Sequence, residues 1–157
     1  MTAQRAGRPH EMDINNHKLA WRWTDSRYNI LPDSALQSMI ALEPEQCAQS
    51  HEISLTLLKD DWALSSLYQQ ATTPTGQKQT AKVKDWLLSQ QNALTTPVIL
   101  SWDEETALNT TWGTFAHYWD DFCYPSSDDL VVFPDHLEWC VFYAHYEILV
   151  YGKKNVP

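Results

Sequence analysis

The stretch Thr111-Trp112-Gly113-Thr114-Phe115-Ala116-His117-Tyr118-Trp119-Asp120-Asp121-Phe122 decides the fold, because its aromatics recur at spacings of three, four and three. Trp112, Phe115, Trp119 and Phe122 then share one helical face, with Thr110 or Thr111 as the cap. Pro125 and Ser126-Ser127 end that helix. Downstream, residues 130–133 form a short β-branched run stopped by Pro134, and residues 138–144 and 147–151 read as two further strands. These last two are close enough to pair as a hairpin, although the joint His145-Tyr146 lacks the Gly or Asn of a tight turn. Upstream, Pro97 stops the preceding helix and Val98-Ile99-Leu100-Ser101-Trp102 reads as a buried strand. A four-aromatic stripe needs an apolar surface to cover, and the neighbouring strands supply one. The chain is therefore expected to be α+β, with helices packed on one face of a largely antiparallel sheet and a C-terminal order of strand-helix-strand-strand-strand.

The first hundred residues carry weaker signals. Residues 1–16 are polar, lack periodicity and contain Gly7 and Pro9, so they are expected to form a flexible N-terminal arm before a single domain over 17–157. Leu19, Trp21 and Trp23 alternate with Lys18, Ala20 and Arg22, the period of a half-buried strand over 17–24. Pro32-Asp33-Ser34 starts a helix carrying Ala35, Leu36, Met39 and Leu42 on one face. Pro44 suits the first turn of a second helix. Residues 53–58 end that helix or make a short strand, and Asp60 or Asp61 caps another helix through Tyr68. Residues 72–76 are a loop by composition, followed by an amphipathic helix with Val83, Trp86, Leu87 and Leu94 on one face.

At 157 residues the chain fits one core. With 43% hydrophobic and 20% charged residues it is globular rather than disordered. No apolar run approaches the ~20 residues of a membrane helix, and the start of the chain lacks a secretory signal. Cys47, Cys123 and Cys140 make no CxxC pair, as expected of a reducing cytoplasm. The formal charge of −9 speaks against nucleic acid and anionic membrane as partners. That charge is localised. Residues 101–150 hold ten acidic side chains and no Lys or Arg.

Catalytic signatures are sparse. No Gly-x-Ser-x-Gly elbow occurs, and the four glycines do not cluster into a phosphate-cradling loop, so no catalytic residue and no cofactor is expected. His117 lies one turn from Asp120 and Asp121, opposite the aromatic stripe. With His136, His145 and Glu147 it offers the ligand types of a small metal-dependent hydrolase, against the plainer reading of a solvated polar face. Eight tryptophans raise a further alternative, a sugar or peptide binder that stacks its ligand on exposed indoles, although core filling is the usual role of that residue.

The strongest constellation is collective: Asp103, Glu104, Glu105, Asp120, Asp121, Asp128, Asp129 and Asp135, with Tyr124 among the flanking aromatics. An acidic rim around aromatic anchors suits a basic protein partner. Neutralising Asp120, Asp121, Asp128 and Asp129 is then expected to slow binding while leaving stability level or higher, and solubility alone is the competing role of such acids. The segment 111–122 resembles a Trp-x-x-Phe-x-x-x-Trp-x-x-Phe stretch of a small bacterial family, and the closing Ile148-Leu149-Val150-Tyr151-Gly152-Lys153-Lys154 is similar in style. The small, acidic, Trp-rich make-up is also similar to immunity proteins that neutralise bacterial toxins. That resemblance implies a non-enzymatic, cytoplasmic inhibitor of a basic toxin domain, and it assigns no functional residue.

Overall fold

A computed structural model describes residues 11–59, 63–76 and 79–155. The apolar runs pair into one antiparallel sheet built from β1 (Glu11–Met12), β2 (Ile40–Leu42), β3 (Tyr68–Pro74), β4 (Pro97–Asp103), β5 (Thr106–Thr111), β6 (Leu130–Phe133), β7 (Trp139–Ala144) and β8 (Ile148–Lys154). Their order across the sheet is β1-β2-β5-β4-β6-β7-β8-β3. The helices are α1 (Trp21–Thr24), α2 (Asp33–Gln37), α3 (Pro44–Leu57), α4 (Thr80–Gln90), α5 (Trp112–His117) and α6 (Trp119–Phe122). This is the expected α+β architecture.

Every residue of β6 and β7 is buried, which explains why both read as continuous apolar runs instead of alternating ones. Leu130, Val132, Trp139, Val141 and Tyr143 face a large core closed by Trp23, Leu31, Ala35, Val83, Leu87 and the aromatic stripe. Val131, Phe133, Cys140, Phe142 and Ala144 face a smaller cluster containing Leu57 at the end of α3, together with Leu64 and Tyr68. Helices on one face describe the larger layer. The opposite face is covered as well, by α3 and the segment that follows it.

Trp112, Phe115, Trp119 and Phe122 are all buried in the larger core, as their spacing predicts. The helix that carries them breaks at Tyr118, whose φ of −120° and ψ of 29° separate α5 from α6. Thr111 caps α5, its Oγ1 accepting from the Thr114 amide at 3.2 Å. The abundance of tryptophan has a local cause at the helix ends. Trp23 and Trp102 donate their indole N–H groups to the carbonyls of Asp121 and Phe122, which end α6, and Trp112 donates to Gln91 just past α4. Each indole thus fills volume and satisfies a carbonyl that its helix leaves open.

Several expectations are corrected. Residues 17–24 form no strand: His17, Ala20 and Trp23 are buried at a spacing of three, Arg22 is buried beside Trp23, and Trp21 faces out. Residues 11–16 supply β1 and a 3-10 turn over Ile14–Asn16, and residues 1–10 of the expected arm lie outside the described residues. Pro44 does occupy the first turn of α3, and residues 53–57 complete that helix. The expected caps Asp60 and Asp61 lie outside the described residues, and Tyr68 opens β3 instead of closing a helix. Thr72, Thr73 and Pro74 belong to that strand. β5 is an additional strand, since its threonines and Asn109 resemble a loop in sequence while their β-branching suits the sheet.

Gly152 sits where two layers meet. A Cβ there would stand 2.6 Å from Leu64 Cδ1 and 2.9 Å from Tyr68 Cβ. Gly152→Ala is expected to cost about 1–3 kcal/mol by overpacking, read as a lower urea midpoint. An unchanged midpoint would show that Leu64 moves aside freely.

Candidate functional site

The antiparallel topology sorts the acidic residues by sheet end. Asp103 ends β4, Glu104 and Glu105 form the β4–β5 turn, and this corner lies beside the start of β6, where Asp128 and Asp129 precede Leu130. The β7–β8 turn of His145, Tyr146 and Glu147 closes the same end. Asp135 lies between β6 and β7, at the opposite end. The structure therefore brings together Asp103, Glu104, Glu105, Asp128 and Asp129, and it separates Asp135 from them.

Arg22 organises the centre of this group. Consecutive positions on α1 point Trp21 outward and Arg22 inward. Arg22 Nη1 donates to Asp128 Oδ2 at 2.6 Å and Nη2 donates to Oδ1 at 3.0 Å, with both side chains buried. Asp128 also accepts the Tyr124 amide at 2.9 Å. This fork-on-fork geometry satisfies both carboxylate oxygens and fixes the loop after α6. The guanidinium carbon lies 3.9 Å from the centre of the Tyr124 ring, a close cation–π contact.

Outside this pair is an aromatic patch. Trp21 meets Tyr28 edge-on at 4.7 Å and Tyr124 at 5.8 Å between ring centres. Trp21 is 40% exposed and Tyr28 51% exposed, so large rings are held in water by contacts with each other. Carboxylates border them. Asn29 donates through Nδ2 to both oxygens of Asp121 at 3.0 Å, and Asp120 beside it is exposed. Burial pushes the Asp121 carboxyl above the ordinary aspartate range, and the Asn29 amide opposes that shift.

On the other side of Asp128 is a cleft of about 120 Å³, lined by Lys18, Trp102, Asp103, Thr106 and Asp129 among others. Asp129 Oδ1 accepts from the His145 amide at 2.9 Å and lies 3.0 Å from its Nδ1. Lys18 Nζ stands 3.7 Å from Glu105 Oε2, both exposed. Asp103, Glu104, Glu105 and Asp120 therefore present charge to solvent, and Asp129, half-buried against His145, adds a partly exposed one. Asp121 and Asp128 are spent on the fold.

His17 packs edge-on against Trp102, with ring centres 5.8 Å apart. Its Nε2 lies 3.1 Å from the Ala107 carbonyl while Nδ1 accepts the Leu19 amide, so the neutral ring satisfies both nitrogens. Burial lowers its pKa to about 4 from an ordinary 6.5. The unfolded chain takes up a proton below pH 6.5 that the folded chain refuses until about pH 4. Stability from this group is thus complete above pH 6.5 and falls as pH drops through that window, by on the order of 3 kcal/mol. His17→Gln is expected to flatten this slope in urea melts at pH 7, 5.5 and 4.5. A wild-type slope matched by the variant would assign the loss to carboxylates instead.

Among the described residues, His117, His136 and His145 do not converge. His136 and His145 flank opposite ends of β7, and His117 binds its own helix through Nδ1 and the Gly113 carbonyl at 2.8 Å. Glu147 turns away from a straight strand, with a φ of 66°. The hydrolase arrangement of His117, His136, His145, Asp121 and Glu147 is therefore not assembled by this fold. Among the described tryptophans, Trp23, Trp112, Trp119 and Trp139 are core.

Trp21, Arg22, Tyr28 and Asn29 were not singled out as site residues by the sequence. Their one sequence signal was indirect: an acidic stretch without Lys or Arg must take a buried counter-ion from elsewhere in the chain. No protein family, curated protein or solved structure matches this chain. Among the described residues, no helix is long and apolar enough to cross a membrane.

Proposed function

We propose that this chain is a non-enzymatic binding protein of the immunity type, cytoplasmic, which blocks a basic toxin domain by docking on the face around Trp21. The observation that carries the reading is the patch of exposed Trp21 and Tyr28 on half-buried Tyr124, bordered by solvent-facing carboxylates. Trp, Tyr and Arg dominate the energetic centres of protein interfaces, and rings already locked against one another lose little freedom on binding. Asp103, Glu104, Glu105, Asp120 and Asp129 steer a cationic partner and repel nucleic acid. The cleft between Asp103 and Asp129, walled by Trp102, suits a lysine or arginine side chain of that partner.

The test separates anchors from steering charge. Tagged wild-type protein is used to recover partners from source-cell lysate at low salt, and binding of the recovered protein is then followed kinetically. Trp21→Ala/Tyr28→Ala is expected to raise the dissociation rate by 10-fold or more, on the order of 2 kcal/mol for hot-spot residues. Neutralising Asp103, Glu104, Glu105, Asp120 and Asp129 is expected to lower the association rate, as added salt does. Recovery of the same proteins at equal rates by all three forms sinks the proposal.

A further inference from the structure

Strand β3 ends the sheet, with β8 as its neighbour on one side and no described strand on the other. It is seven residues long, and Gln69, Gln70, Thr72 and Pro74 are exposed. Native edge strands are usually short, charged or covered, because an open row of amides and carbonyls templates another strand. Among the described residues no strand covers this edge, residues 68–76, Tyr-Gln-Gln-Ala-Thr-Thr-Pro-Thr-Gly, contain no charged side chain, and Pro74 blunts only its last position. On a chain of net charge −9, it is a strip where two copies can approach without bringing carboxylates together.

We propose that β3 pairs antiparallel with β3 of a second copy, about a two-fold axis at Ala71, to form one continuous sheet. In that register Gln70 faces Thr72 of the second copy, Gln69 faces Thr73, and Tyr68 faces Pro74. The two positions that cannot donate outward then oppose each other. The Tyr68 amide already donates to the Ser65 carbonyl at 3.1 Å, and proline has no N–H. Charge favours the antiparallel sense. On β8, the adjoining strand, Lys153 and Lys154 stand beside Gln69 and Tyr68 at one end, and Glu147 precedes Ile148 at the other. A two-fold axis at Ala71 sets the lysine end of each copy alongside the glutamate end of its partner, whereas parallel pairing would align like with like. An isologous contact of this kind closes at two copies and leaves the aromatic patch on α1 free.

Light scattering across a concentration series is the test. Wild type is expected to rise from the chain mass of 18.2 kDa to twice that value, with amide exchange in β3 slowing as concentration increases. Gln69→Lys/Thr73→Lys places lysines directly opposite each other and is expected to keep the protein monomeric, with unchanged circular dichroism. Gln69→Glu/Thr73→Lys places opposite charges in register and is expected to retain the dimer. A wild type that stays at the single-chain mass overturns the proposal, as does a dimer indifferent to the double lysine variant. Loss of the dimer in both double variants overturns the register.

Discussion

Asp128→Asn is expected to cost about 3–5 kcal/mol, because it strands the buried Arg22 guanidinium without its carboxylate. The size follows from geometry. Both side chains are almost fully buried, and two short hydrogen bonds at 2.6 and 3.0 Å satisfy the carboxylate from one side. Removing one partner leaves a charge that water cannot reach, whereas removing both leaves no buried charge and costs packing together with the bonds that Asp128 accepts from the Tyr124 amide and the Ser127 hydroxyl. Arg22→Met/Asp128→Leu should therefore recover most of the loss, and a double-mutant cycle from urea melts measures the coupling. Added salt should change wild-type stability little through this pair, since burial shields it from screening. An Asp128→Asn variant as stable as wild type would mean that the guanidinium finds water in place of its partner. The result also bears on function, because Asp128 holds the Tyr124 amide and Arg22 stacks on the Tyr124 ring. Asp128→Asn should loosen the aromatic patch and the fold together, while Trp21→Ala should affect binding alone.

This pair also marks where sequence reasoning stops. Fifty residues without Lys or Arg suggest a surface, and five carboxylates of that stretch do lie at one end of the sheet or on α6. Asp128 differs from Asp129 by a contact to a residue 106 positions earlier, which no local pattern encodes. The same limit explains the N-terminal segment. An alternation of Leu19, Trp21 and Trp23 is a genuine period of two, but burial of His17, Ala20 and Trp23 with an inward Arg22 follows the tertiary ion pair. By contrast, β6, β7 and β8 were legible because each is flanked by strands on both sides and carries a run of buried apolar residues, where apolar content alone decides. Their hairpin turn was less so. Ala144 pairs with Ile148, and the three-residue loop between them puts Glu147 in the left-handed region where glycine is the usual choice. β5 was hidden because Thr110 and Thr111 carry a strand ending and a helix cap within two residues.

The aromatic stripe that decided the fold should be as costly a point of failure as the ion pair. Phe115 is fully buried, packed between Trp112 at 5.7 Å and Phe122 at 6.0 Å between ring centres. Those neighbours cannot close over the space it leaves. Trp112 is held by its bond to the Gln91 carbonyl at 2.7 Å, and the chain approaches Phe122 through Trp23 and Trp102, which bond the end of α6. Phe115→Ala is therefore expected to fall at about 3–5 kcal/mol, the range in which a large ring is lost and the cavity persists. Phe115→Leu should recover much of this, since it restores most of the volume without the ring geometry. Because the break at Tyr118 makes α5 only six residues long, α5 has little stability of its own and depends on this burial. Loss should thus extend beyond the cavity, with faster amide exchange over residues 112–117 in Phe115→Ala than in an exposed control such as Leu67→Ala. A Phe115→Ala protein with wild-type denaturation and wild-type exchange would show that α5 is held by its cap and its backbone contact to Leu94, and that the stripe is a consequence of the fold instead of its cause.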